Sequence, residues 1–110
     1  MDITVIGRHM EVTDAMRQYV ESKAAKLPRF YDNVLSAEVI LGMEAEKAVV
    51  EIVVTANRKN TFVATHRDDV MYAGIDECLR KISEQLRRHK DKVRDRQGQS
   101  MGQATEETPT

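Results

Sequence analysis

The chain has 110 residues, of which 32% are charged and 41% hydrophobic, and it carries a net charge of −1 at pH 7. This composition fits one soluble globular domain without an N-terminal signal sequence or an apolar run long enough to cross a membrane, so we expect a cytoplasmic protein. The single cysteine, Cys78, excludes an internal disulfide, and its place beside Leu79 indicates a small core residue.

The N-terminal third of the chain predicts a strand and then a helix. Residues Asp2 to Gly7 alternate and are rich in β-branched side chains, which is typical of a strand. Thr13 is a predicted N-cap for a helix from Asp14 to Leu27. Pro28 ends this helix because a residue that precedes proline is disfavoured in the helical conformation.

Three further strands and a long helix follow. Alternation predicts strands over Val34 to Met43, Ala48 to Ala56 and Thr61 to His66. Asp68 or Asp69 caps a last helix that runs to about Arg96. The order is β-α-β-β-β-α, and since each helix has a single apolar stripe, we expect an α+β fold in which both helices cover one face of a four-stranded sheet. Residues 1–97 form this domain, and the polar residues 98–110 are a predicted disordered tail.

The last helix concentrates positive charge. From Arg80 to Arg96, eight Lys or Arg residues and three acidic residues give a local charge of +5, so the remainder of the chain carries −6. This polarisation resembles the electrostatic footprint of a nucleic-acid-binding protein. The alternative is a solvated helix with ion pairs such as Glu77–Lys81 and Glu84–Arg88.

The first helix carries a second, smaller group of cations. Lys23 projects within the apolar stripe that Tyr19 and Val20 help to define, and Lys26 lies at its edge. With Arg29, these lysines could form a basic edge that adjoins the last helix. Alternatively, they lay their methylenes on the rim of the core and extend the ammonium into water. Tyr19 and Tyr72 are interpreted as core residues, so base stacking has little support.

Several spaced motifs resemble the family of ribosome hibernation promoting factors, also called ribosome-associated inhibitors or sigma-54 modulation proteins. The first are Ile6-Gly7, Glu11-Val12-Thr13-x-Ala15 and Tyr19-Val20-x-x-Lys23-x-x-Lys26-Leu27. The later ones are Met71-Tyr72-Ala73-x-Ile75-Asp76, Gln85-Leu86 and His89-Lys90-Asp91-Lys92. Together they span nearly all of residues 1 to 96.

This resemblance implies the same β-α-β-β-β-α fold, similar in shape to double-stranded-RNA-binding domains. Long members of the family carry a further C-terminal dimerisation domain, so this chain is expected to be either a short form or the N-terminal part of a longer protein. It implies a translation inhibitor that occupies the messenger- and transfer-RNA channel of the small ribosomal subunit. The expected partners are the small subunit and its rRNA, with no membrane and no small-molecule substrate, and the free protein is expected to be monomeric. The predicted RNA-binding residues are Arg8, His9, Lys23, Lys26, Arg29, Arg80, Lys81, Arg87, Arg88, Lys90, Lys92 and Arg94.

Two other classes of function are weighed against RNA binding. The first is a protein-interaction module whose basic last helix docks an acidic partner. The second is an enzyme, which we do not expect, because His9, His66 and His89 lie in separate segments without metal-ligand spacing. Glu38 and Glu51 on neighbouring strands are more typical of a solvated sheet face than of acid-base catalysis. We therefore expect no catalytic residues, metal or cofactor.

Overall fold

The elements follow one another in the predicted order. A computed structural model describes residues 1–57 and 60–98, with side chains as far as Val93. Each strand bound lies within two residues of its prediction, and the predicted tail beyond Gly98 lies outside the described residues. The strands are β1 (Asp2–Arg8), β2 (Val34–Glu44), β3 (Lys47–Ala56) and β4 (Thr61–Asp68), and the helices are α1 (Asp14–Ala24) and α2 (Met71–Gly98).

The four strands form one sheet in the order β1-β2-β3-β4. Strand β1 is parallel to β2, and the other neighbouring pairs are antiparallel. A parallel pair needs a crossover connection, which α1 provides between β1 and β2. Helix α1 packs on β1, and α2 packs on β3 and β4. Neither helix in the described part of the chain is long and apolar enough to span a membrane.

Alternation along the strands separates a buried face of the sheet from an open one. In β3, Val50, Ile52 and Val54 are fully buried beneath the helices. Their neighbours Glu51 and Val53 are only partly covered on the opposite face. The prediction that one face of the sheet meets water is therefore confirmed.

Helix α1 is shorter than predicted. It begins as expected, because the Thr13 side chain accepts a hydrogen bond of 3.1 Å from the backbone N–H of Met16. It ends at Ala24 instead of Leu27, and a short 3-10 helix over Leu27–Arg29 follows. Pro28 restricts the backbone of the residue before it, so the α-helix ends about one turn early and the chain continues as the tighter 3-10 helix.

Cys78 lies between α2 and the sheet, as predicted. It is fully buried, and its Sγ atom lies 3.5 Å from the carbonyl oxygen of Val50 and 3.3 Å from that of Ala64. Burial raises the pKa of the thiol to about 12, because the thiolate would lose its hydration. The thiol therefore stays protonated and packs as a small apolar side chain.

Candidate nucleic-acid interface

An aromatic and carboxylate contact joins α1 to the N-terminal half of α2. The Tyr19 and Tyr72 rings meet edge to face, with centroids 4.9 Å apart. The Tyr19 hydroxyl donates a hydrogen bond of 2.7 Å to Oδ1 of Asp76, and this bond raises the pKa of Tyr19. Lys23 lies one turn farther along α1, with its Nζ atom 5.3 Å from the centroid of the Tyr19 ring. Lys23 therefore lies at the junction of the two helices.

A second aromatic contact holds the segment after α1 against the C-terminal half of α2. The His89 ring lies 5.0 Å from the Tyr31 ring and 5.2 Å from the Phe62 ring, measured between centroids. Tyr31 is buried and lies two residues after the end of the 3-10 helix. The segment that carries Lys26 and Arg29 is thereby fixed beside the part of α2 that carries Lys90.

These contacts define a surface that we call the helix seam, where α1 and the segment after it meet α2. Arg87 and Lys90 follow Asp76 by 11 and 14 residues, or about three and four helical turns, so they extend along the same flank of α2. The seam cations are Lys23, Lys26, Arg29, Arg87 and Lys90. Among the side chains of residues 1–57 and 60–93, no carboxylate forms an ion pair with any of the five. Their positive charge is therefore available to an external anion.

Arg80 and Arg88 differ from the seam cations because acids on α2 neutralise them. The Arg80 guanidinium lies 3.0 Å from Glu77 and 3.3 Å from Glu84, and the hydrogen bond that it donates to Glu77 raises the pKa of Arg80. Arg88 lies 3.5 Å from Glu84. The predicted Glu84–Arg88 pair is thus confirmed.

Lys81 binds the sheet and not the acid predicted for it. Its Nζ atom donates a hydrogen bond of 2.9 Å to the backbone carbonyl of Thr65 in β4. The predicted Glu77–Lys81 pair is wrong, because Glu77 binds Arg80 and Lys81 lies on the flank of α2 that faces β4. Lys92 occupies the same flank by helical spacing.

The remaining predicted site residues lie apart from the seam or are not described. Arg8 is on the open face of the sheet, where its guanidinium lies 3.6 Å from Glu51. His9 follows in a turn with a φ of 61°, and its side chain is exposed. The side chain of Arg94 lies outside the described residues. Five of the predicted residues therefore lie on the elements that meet at the seam, whereas Arg8 and His9 lie elsewhere.

The interpretation of Tyr19 and Tyr72 as core residues is wrong for Tyr72, which is 37% exposed, while Tyr19 is only partly buried. Tyr72 precedes Ile75 by three residues and Leu79 by seven, so helical spacing places it at the edge of the stripe that faces the sheet. The sequence did contain an indication that Tyr72 is exposed, because the charged Asp76 follows it by four residues and therefore lies on the same side of the helix. In residues 1–57 and 60–93, no three His, Cys, Asp or Glu side chains lie close enough together to hold a metal ion.

Comparison with known proteins gives consistent matches over nearly the whole fold. The pattern that defines the sigma 54 modulation protein / S30EA ribosomal protein family matches residues 3–94. The chain is similar to the ribosome hibernation promoting factor of Azotobacter vinelandii, with 34% identity over 109 residues, or 99% of this chain and 98% of that protein. The factor of the same name from Salmonella typhimurium is 31% identical over 94 residues, which are 86% of this chain and 98% of that protein.

Two solved structures are similar in fold and sequence. The N-terminal domain of Thermus thermophilus Protein Y superposes with a TM-score of 0.74 at 38% identity, covering 81% of this chain and 99% of that one. A ribosomal subunit interface protein from Coxiella burnetii has a TM-score of 0.74 at 26% identity, covering 83% of this chain and 99% of that one. Both matches cover a four-stranded sheet with two helices.

Proposed function

Because the chain belongs to the sigma 54 modulation protein / S30EA ribosomal protein family, we propose that it binds the small ribosomal subunit and inhibits translation as a hibernation factor. The names of its relatives support ribosome association. The observation that carries the finer proposal is the helix seam. Its five cations lie on α1, on the segment after α1 and on α2, and none of them forms an ion pair with a described residue. Ribosomal RNA is the polyanion that these cations would bind.

The proposed mechanism is exclusion by volume, without covalent chemistry. The seam cations neutralise phosphates of rRNA, and the arginines can form forked hydrogen bonds to phosphate oxygens. A folded domain held in the channel of the small subunit leaves no room for messenger or transfer RNA. The block is reversible, because it depends on contacts that salt weakens.

A matched pair of charge reversals tests this proposal. The double variant Arg87→Glu and Lys90→Glu is expected to lose co-sedimentation with purified small subunits, since two attractive contacts become repulsive. The control is Lys47→Glu with Arg67→Glu, which makes the same change in charge at the end of the sheet, where both cations are exposed and paired with acids. The control should bind like the unaltered protein.

Two outcomes would contradict the proposal. One is binding of the Arg87 and Lys90 variant at the affinity of the control, when thermal unfolding shows both variants to be folded. The other outcome concerns the alternative function, in which the basic helix docks an acidic protein partner. Nuclease treatment should release the protein from the small subunit, and a complex that survives complete digestion of the RNA would favour the protein partner.

A further inference from the structure

The helix seam contains one carboxylate in a position that phosphate binding does not explain. Asp76 is exposed on the flank of α2 that also carries Arg87 and Lys90. A negative charge there repels phosphate, so its presence opposes the seam cations. Tyr19 holds the carboxylate through Oδ1. A carboxylate has about four lone-pair sites in all, and no other hydrogen bond to Asp76 occurs among the described residues.

Tyr72 lies one helical turn before Asp76 on the same flank, and its ring reaches solvent. The Tyr19 ring packs against it at an interplanar angle of 87°. Tyr19 therefore positions both residues, through its ring for Tyr72 and through its hydroxyl for Asp76. A tyrosine hydroxyl is protonated near neutral pH, and the hydrogen bond to Asp76 raises the pKa of Tyr19 further, so the hydroxyl remains a donor. The result is an exposed aromatic side chain beside a fixed hydrogen-bond acceptor.

The chemistry of this pair fits one nucleobase better than the others. An ionised carboxylate only accepts hydrogen bonds. The Watson–Crick edge of guanine presents two adjacent donors, N1–H and the exocyclic N2 amino group. Adenine and cytosine each place an acceptor nitrogen beside their amino group, and the single N–H of uracil lies between two carbonyl oxygens. Proteins that read RNA use aromatic side chains to stack unpaired bases and polar groups to bind their edges.

We propose that Tyr72 and Asp76 bind an unpaired guanine of ribosomal RNA, with the base stacked on Tyr72 and its N1–H and N2–H groups donating to the Asp76 carboxylate. This inference rests on the proposed function, which brings rRNA to the seam. It adds a specificity-determining site to a surface that otherwise contacts phosphates. Tyr19 is a positioning residue in this arrangement.

The substitution Asp76→Asn distinguishes base recognition from simple electrostatics, because the two predict opposite changes in the affinity for small subunits. Removing a negative charge from a phosphate-binding surface should strengthen binding. Asparagine can still accept the Tyr19 hydrogen bond, but it presents an amino group to the donors of guanine. We therefore expect the Kd for purified small subunits to rise about fivefold or more. The control Glu21→Gln, on an exposed position of α1, makes the same change in charge and should leave the Kd unchanged or slightly lower.

Chemical probing identifies the base directly. Kethoxal modifies unpaired guanines at N1 and N2, the two atoms that the carboxylate would cover. The unaltered protein should protect at least one guanine of the small subunit, and Asp76→Asn should lose that protection while remaining bound at a saturating concentration. Tyr72→Phe should keep the protection because the ring remains, and Tyr72→Leu should lose it.

The results separate this inference from the proposed function. If the unaltered protein does not bind small subunits, both fail. If it binds but protects no guanine from kethoxal, or if Asp76→Asn binds as tightly as Glu21→Gln and retains the protection, the guanine site is wrong and the proposed function stands. Thermal unfolding of each variant shows whether a loss of binding reflects a loss of fold. The Tyr72→Phe variant is a conservative comparison, because only the hydroxyl is removed.

Discussion

Lys81 and Gln85 extend from α2 to the outer edge of β4, where their side chains replace the hydrogen bonds of a missing neighbouring strand. Lys81 donates to the carbonyl of Thr65, and the Gln85 side-chain amide donates to that of Val63, each at 2.9 Å. Both donors lie on one flank of α2, four residues apart. A lysine of the basic helix therefore contributes to the packing of helix on sheet.

Replacing Lys81 by methionine should lower stability more than it lowers ribosome affinity. Methionine keeps an unbranched apolar side chain but cannot donate to Thr65, so we expect the free energy of unfolding to fall by about 1 kcal/mol. Urea denaturation measures this change. The comparison is Lys90→Met at the seam, which should leave stability nearly unchanged and weaken binding to the small subunit. A Lys81→Met protein with unchanged stability and greatly reduced binding would instead make Lys81 an RNA contact.

Helical spacing alone could not predict the partner of each charged residue. It placed Glu77 within reach of both Arg80 and Lys81, at separations of three and four residues. The choice depends on β4, whose carbonyl at Thr65 attracts Lys81 and leaves Glu77 to Arg80. The exposure of Tyr72 was missed for a similar reason, because its surroundings come from Tyr19 on another helix.

Helix α1 is short and depends on its ends and its contacts. It has 11 residues, a length at which an isolated helix is marginal in water. Thr13 caps its first turn, and Val20 and Ala24 anchor it to the core. Because α1 carries Tyr19 and Lys23, its stability and position affect the helix seam directly.

Removing the cap of α1 should destabilise the protein by a measurable amount. Thr13→Ala leaves the backbone N–H of Met16 without its side-chain acceptor, and we expect a loss of about 1 kcal/mol in the free energy of unfolding. Thr13→Ser retains a hydroxyl and should recover most of this loss. Chemical denaturation of the three proteins gives the comparison. Equal stability of the alanine and serine variants would show that the hydrogen bond at the cap contributes little.

The strands were predictable because their alternation is local, whereas the end of α1 was not. The alternation in β3 places Ile52 on the buried face of the sheet and Glu51 on the open face, although the open face also carries the apolar Val53. In α1, the apolar stripe continues in sequence to Leu27, which is buried, but the backbone reaches that position through a 3-10 turn. Because Leu27 continues the apolar spacing of an α-helix, the sequence predicted a helix that extends past its true end.

At the scale of the whole molecule, a net charge near zero conceals two different surfaces. The seam cations lie where α1 and the segment after it meet α2. The open face of the sheet carries Glu38 and Glu51 on neighbouring strands, together with Arg8, which Glu51 partly neutralises. An overall charge of −1 therefore does not describe the field that an approaching RNA encounters.

Salt should weaken binding to the small subunit in proportion to the number of phosphates contacted. The logarithm of the binding constant should fall linearly with the logarithm of salt concentration, and each contact removed should reduce the slope by about 1. We expect this reduction for Arg87→Met and not for Lys47→Met, whose ammonium binds Asp69 at the end of the sheet. Titrations at four or more salt concentrations measure both slopes. Equal slopes for the two variants would place Arg87 away from phosphate.

The hydrogen bonds from α2 to β4 also affect how separate copies of the protein meet. An uncovered outer strand offers its backbone to a neighbouring chain, and sheets that extend in this way form aggregates. In the middle of β4, the carbonyls of Val63 and Thr65 are already occupied by Gln85 and Lys81. Helix α2, which carries seam cations, therefore also protects this edge of the sheet. Separate copies of the protein can come close together without pairing through the edge strand β4.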